Sequence, residues 1–108
     1  MANTFKNQFS KAVGTSASTV YTCPSATQTT IIGMTIGNII SSPITVDVYV
    51  TSSATDYYIV KGATVPVGGS LVPIGGDQKL VLEAADVLKV VSSAASSADV
   101  IASLLEIT

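Results

Sequence analysis

The sequence predicts an all-β protein built from two antiparallel sheets packed face to face, and three observations carry that prediction. Short apolar segments are separated by Gly, Pro, Ser or Asp breaks at a spacing of roughly eight to twelve positions, the rhythm of a sandwich or barrel. The clearest segment, ITVDVYV, alternates strictly: Ile44, Val46, Val48 and Val50 fall on one face, and Thr45, Asp47, Tyr49 and Thr51 on the other. At 108 residues and 47% apolar, the chain is one domain able to bury a core without disulfides or metals.

Taken in order, residues 1–19 (MANTFKNQFSKAVGTSAST) stand apart. They are polar, with Phe5 and Phe9 as the large apolar side chains. Four positions apart, the two phenylalanines share a side whether the segment is a helical turn or a strand. This segment is read as an extended arm that packs on its own domain or on a neighbour. Phe5 and Phe9 are its anchors, and Lys6 and Lys11 are its charged contacts. Residues 20–108 then form the sandwich, of jelly-roll or immunoglobulin-like type.

VYTCP makes a first short strand. In TTIIGMTIGNI, Ile32, Met34 and Ile36 are expected to share the core face, with Thr35 and Gly37 opposing them. Ser41-Ser42-Pro43 reads as a hairpin connection to ITVDVYV, since proline cannot donate to a ladder. The polar TSSATD leads into YYIVKGATV, where Tyr57 and Tyr58 point to opposite faces. In KLVLEA, Leu80, Leu82 and Ala84 are expected to face inward and Lys79, Val81 and Glu83 outward. In VLKVVSS, Leu88 and Val90 face in. SSAASSAD, 92–99, has small residues suited to a loose hairpin. In DVIASLLEIT, Leu104 and Leu105 are adjacent, so one points away from the core, and an outward Leu105 or Ile107 needs cover from a neighbour.

The stretch VPVGGSLVPIGGDQK, Val65 to Lys79, raises the question of a phosphate loop. It lacks the GxxxxGK[ST] order and the following helix that aim amides at an anion, and Asp77 would repel one. Two turns account for it, one at Pro66–Gly69 and one at Gly75–Asp77. Pro73 between them marks an edge strand or a bulge.

Other chemistry lacks residues. With no histidine there is no Ser-His-Asp triad and no histidine-bound metal, and no catalytic residue, metal or cofactor is expected. Cys23 is the single cysteine, expected as a buried or half-buried thiol without a histidine to activate it. Glu83 and Asp86 read as a strand residue and a turn residue rather than an acid–base pair. Asp47, Asp56 and Asp77 lack calcium-loop spacing.

Charge narrows the partners. Only 11% of residues are charged, where a typical soluble domain has roughly 25%. Five scattered lysines against seven acids make nucleic acid an unexpected partner. No apolar run approaches the ~20 residues of a spanning helix, nor does the start read as a secretory signal, so no membrane association is expected. Thirteen Thr and fourteen Ser replace the missing charge. Such a neutral hydroxyl surface is cheap to desolvate and suits coverage by copies of itself or by a larger assembly.

From about Thr15 onward the chain resembles small virion structural proteins of tailed bacteriophages, especially contractile-tailed cyanophages. The matching segments are VYTCPSATQTTIIGMTIGN, ITVDVYV, DYYIVKGATVPVGGSLVPIGGDQKLVLEAADVLKV and ADVIASLLEIT. Where such sequences often carry Gly-Asp before the strand matching VLKV, this one has Ala85-Asp86. The resemblance implies a β-sandwich without catalytic residues that decorates the head, with tail, baseplate or fibre as the alternative. It implies the major capsid protein or other virion proteins as partners, a homo-oligomer, and assembly into virions in the host cytoplasm. A separate reading, a carbohydrate-binding sandwich with Tyr49, Tyr57 and Tyr58 as the sugar platform, is set against the absence of tryptophan.

Overall fold

A computed structural model describes residues 2–108 and bears out the all-β reading. Among the described residues there are nine strands: β1 Asn3–Val13, β2 Ser18–Thr22, β3 Gln28–Asn38, β4 Ile44–Ser52, β5 Thr55–Val65, β6 Ser70–Ile74, β7 Leu80–Leu82, β8 Val87–Ser92 and β9 Ala98–Ile107. Among the described residues no helix is long and apolar enough to cross a membrane.

The first sheet runs β1-β9-β3-β6, with β7 also on β3; the second runs β2-β8-β4-β5. All pairs are antiparallel, and they nest: β4 with β5, β3 with β6 and β7, β2 with β8, β1 with β9. One long hairpin rolled into two layers gives this nesting, so the topology is that of a jelly roll rather than of an immunoglobulin domain. A consequence is that most successive strands change sheets. Ser41-Ser42-Pro43 and the Ser92–Asp99 stretch, both expected as hairpin connections, instead cross between layers. Local turn chemistry marks where the chain bends but not which layer it enters next.

The tight hairpin joins β4 to β5. Ser53 and Ala54 both take positive φ, 51° and 63°, between the paired residues Ser52 and Thr55. A two-residue loop of this hand matches the twist of its strands.

The core forms where alternation predicted it. Ile44, Val46, Val48 and Val50 of β4 meet Leu88 and Val90 of β8 on one layer, opposite Val100, Ala102 and Leu104 of β9. Each fully buried aliphatic side chain contributes about 1.5–3 kcal/mol before entropy is counted. In β3 the expected face is wrong by one residue at its start. Ile31, not Ile32, is buried with Met34 and Ile36, because the ladder to β9 shifts register between Ile31 and Gly33. An extra residue in one strand reverses the in–out parity on one side of the bulge. In β9, Leu104 points inward and Leu105 is half-buried outward.

β7 is shorter than KLVLEA suggests. Leu82 is buried, but Ala84 is exposed because the strand ends at Leu82 and turns. Asp86 accepts the Glu83 amide at 2.9 Å, and the Asp86 amide donates to the Glu83 carbonyl at 3.0 Å. Ala85 sits there at φ 73°, where the resembling sequences often place glycine. The chain therefore keeps the turn and carries the strain of a Cβ in the left-handed region, about 1–2 kcal/mol.

The glycine-rich stretch is two turns, as read. The Gly69 amide donates to Pro66 at 3.0 Å, with Gly68 at φ 71°, and the Gln78 amide donates to Gly75 at 3.1 Å. Between them β6 pairs on one side with β3 and ends the sheet there, which is where Pro73 is tolerated.

Candidate interaction surface

The segment read as an arm packs on its own domain, but as a strand. β1 pairs with β9 from Asn3↔Ile107 to Ser10↔Val100 without a shift, and the ladder is then disturbed before Val13. Side chains alternate about this ladder. Thr4, Lys6, Gln8 and Ser10 lie opposite inward residues of β9, whereas Phe5 and Phe9 lie opposite Leu105 and Ile101 on the outer face. Phe5 is 76% exposed and Phe9 64%. They do not anchor the segment to this domain; the backbone ladder and the lysines do.

Lys6 reaches Glu106 Oε1 at 3.0 Å, and Lys11 reaches Asp99 Oδ2 at 2.9 Å. Both lysines, expected to meet a partner, are held within the chain. Asp99 also accepts the Ala12 amide at 2.9 Å. That amide, then Lys11, holds the Asp99 carboxyl below the usual carboxylate range.

Glu106 belongs to a polar cluster that ties the layers together. Tyr21 of β2 donates its hydroxyl to Glu106 Oε2 at 2.5 Å and lies 2.8 Å from Thr29 Oγ1 on β3. Cys23 follows, its buried thiol 3.4 Å from both the Thr27 carbonyl and Thr29 Oγ1. The Tyr21 bond, then Lys6, holds Glu106 below the ordinary carboxylate value. Burial, then the neighbouring Glu106, pushes the Tyr21 phenol up to about 12. Every buried polar side-chain atom among the described residues has a partner. The cluster is thus a satisfied inter-layer tie, not a reactive site.

On the outer face of the first sheet, register lines up a mostly apolar row of side chains across four strands, with Thr30 as its polar member. Phe5 lies beside Leu105, Leu105 beside Thr30, and Thr30 beside Val81. A second row runs Phe9, Ile101, Thr35. Val81 and Ile101 are 63% and 54% exposed. Large exposed apolar side chains in two rows, parted by the polar row Asn7, Ser103 and Gly33, make this face a candidate interaction surface. Sequence reasoning placed Val81 outward without joining it to Phe5 and Phe9, and it missed Ile101. The available signal was β9 itself, apolar at both parities, the mark of a strand covered on both sides.

The second sheet's outer face differs. Tyr49 and Tyr58 stack with ring centroids 4.9 Å apart at 34°, and the Lys61 ammonium sits 4.3 Å from the Tyr58 centroid. Burial, then Asp56, pushes the Tyr49 phenol up. Tyr49 is nearly buried, Tyr58 lies between Tyr49 and Lys61, and Tyr57 lies opposite Val50 on the other face. The three tyrosines therefore do not form a common platform. Asp47 accepts the Gly62 amide at 2.7 Å and Asp56 accepts the Thr51 hydroxyl at 2.6 Å. Among the described residues no three His, Cys, Asp or Glu gather where they could hold a metal ion. A hollow of about 500 Å³ is lined by Ala26, Thr27, Gln28, Glu83, Ala84, Ile107 and Thr108, with Glu83 as its one charged side chain.

No family model and no curated protein matches the chain. A solved structure from Bacillus endospore appendages, described as a novel family of disulfide-linked pili, matches in fold with a TM-score of 0.55 at 13% identity, over 99% of this chain and 87% of that one.

Proposed function

We propose that this chain is a non-enzymatic structural protein that works by contact area, and within that role a decoration protein on the outer head of a tailed phage. The observation that carries the reading is the outer face of the first sheet, where the two-layer scaffold presents Phe5, Phe9, Ile101 and Val81 to solvent. The side-chain inventory supports the non-enzymatic part: there is no histidine, the one thiol is buried, and the cluster around Glu106 is internally satisfied. The resemblance to phage virion proteins supports the particle, with the major capsid protein as the surface decorated. Cementing follows from repetition. Apolar burial is worth about 25 cal/mol per Å², much of it offset by lost motion, and the remainder adds up over many sites on a shell.

A filament or fibre component is the second reading, favoured by the like-folded neighbour's part in pili. That neighbour's pili are disulfide-linked, whereas Cys23 is 1% exposed, so the folded chain does not offer it for such a link.

Quantitative mass spectrometry of purified particles tests the proposal. Hundreds of copies per particle are expected for a head decoration protein. A few copies would move it to tail or baseplate, and absence from particles would overturn the assignment.

A further inference from the structure

We propose that two copies of this chain join edge to edge through β1, antiparallel, about a two-fold axis at Asn7. The inference deepens the contact-by-assembly reading by naming a first partner.

β1 ends its sheet, with β9 on one side and no strand on the other. Which backbone groups face that open side follows from one pair. Ala2 and Thr108 exchange both hydrogen bonds, at 3.2 and 3.0 Å, in the same register that continues through Ser10↔Val100. In an antiparallel ladder such doubly bonded pairs alternate with unbonded ones. Thr4, Lys6, Gln8 and Ser10 therefore bond to β9. Asn3, Phe5, Asn7 and Phe9 turn their N–H and C=O groups to the open edge. The same four residues carry the outward side chains.

The sequence of that edge is self-complementary. Placing the axis at Asn7 sets Asn7 opposite its copy, Phe5 opposite the second copy's Phe9, and Phe9 opposite its Phe5. Each is a position where both strands offer free backbone groups. Lys6 falls opposite Gln8, so no like charges meet. Moving the axis to Lys6 would oppose two lysines, and moving it to Gln8 would set each phenylalanine off its partner. Cross-strand aromatic pairs and an unbroken ladder favour the Asn7 axis over both alternatives. Lys6, an inward charge of the kind that commonly discourages edge pairing, is engaged by Glu106 and so does not obstruct it. Joined this way, the Phe9–Ile101 row of one copy runs on into the Phe5–Leu105–Thr30–Val81 row of the other, so that each row extends across both copies.

The test uses the full chain. Sedimentation should show a concentration-dependent dimer. N7P removes an N–H that serves only the open edge, so it should leave the circular dichroism and melting temperature unchanged and shift the dissociation constant upward at least tenfold. F5K/F9K sets like charges opposite each other and should give monomer. F5K/F9E sets opposite charges across the axis and should restore the dimer. Under an added oxidant, N7C should form a disulfide dimer, because bonded antiparallel pairs hold Cα atoms ~5.5 Å apart, within disulfide reach. N3C should not, since each Asn3 lies about eight residues, roughly 27 Å, from its copy. A folded protein that is monomeric at every concentration, or a dimer indifferent to N7P or cross-linked through N3C, overturns the β1 axis. Either result leaves the particle assignment to be decided by copy number alone.

Discussion

The two long edge strands of this sandwich are treated in opposite ways. β1 and β5 both run eleven residues, and each has a neighbour on one side only. β5 is broken up: its register to β4 shifts twice, Gly62 takes φ 70°, and the freed Gly62 amide is accepted by Asp47 at 2.7 Å. Lys61 lies next to that bulge, over Tyr58. Bulges, lysines and occupied amides are the usual devices that stop an edge from recruiting another strand. β1 is regular from Asn3 to Ser10 and shows two phenylalanines to solvent, with its irregularity confined to the stretch before Val13. A chain with so few charges did not guard both edges. The contrast separates an edge that ends the fold from one open to a further strand.

Substitutions at the two edges test that contrast. The largest effect is expected at Glu106, which ties β1 to the opposite layer through Lys6 and Tyr21. E106Q should cost about 1–3 kcal/mol in urea unfolding, because the charge that strengthens the buried hydrogen bond from Tyr21 and pairs with Lys6 is removed. Amide exchange should quicken in Asn3–Ser10 and stay unchanged in β5; equal loosening of both edges would show that the tie is not specific to β1. The same variant reports on pH. Glu106 is held below its ordinary value in the fold, so its stabilisation is present above the unfolded carboxylate pKa of about 4.3 and lost as pH falls through the folded value. The parent protein should melt at progressively lower temperature below that pH. E106Q should be less stable at neutral pH yet show a shallower acid slope, with Asp99 left to supply part of it.

A smaller effect is expected at the other edge. D47A removes the acceptor for the Gly62 amide on an exposed strand and should lower stability by about 1 kcal/mol, read from the urea midpoint. An unchanged midpoint would mean that the bulge, not the Asp47 bond, shapes β5. The smallest effect lies away from both edges. A85G relieves the left-handed alanine at φ 73° but frees the unfolded chain, so a net gain of about 0.5 kcal/mol is expected. A loss of stability at that site would show that the turn does not strain the alanine.

Much of the scaffold was legible because alternation in a strand is a local property. The inward face of β4, the inward Leu88 and Val90, the turns around β6 and the buried Cys23 all follow from residue type and spacing. Where the chain bulges, local reading fails. Ile31 displaced Ile32 from the core because an inserted residue opposite β9 changed the parity, which no pattern within β3 records. The interaction surface was half legible. Phe5 and Phe9 stood out as apolar residues in a polar segment, yet the inward face of that segment (Thr4, Lys6, Gln8, Ser10) looked unpacked, so the segment resembled an arm. Its partner Glu106 lies about one hundred positions away.

Strand content, the periodicity of most inward faces, the turns and a side-chain inventory with no histidine and one cysteine can be read from the residues in order. The tertiary structure alone decided that the connections cross between layers to make a jelly roll and that residues 3–13 are a strand. It also decided that Phe5, Phe9, Ile101 and Val81 share one face. The reason is distance along the chain. Propensity and alternation act over a few residues, whereas register between β1 and β9 is set by packing between segments roughly ninety residues apart, and only that register brings the four apolar side chains onto one surface.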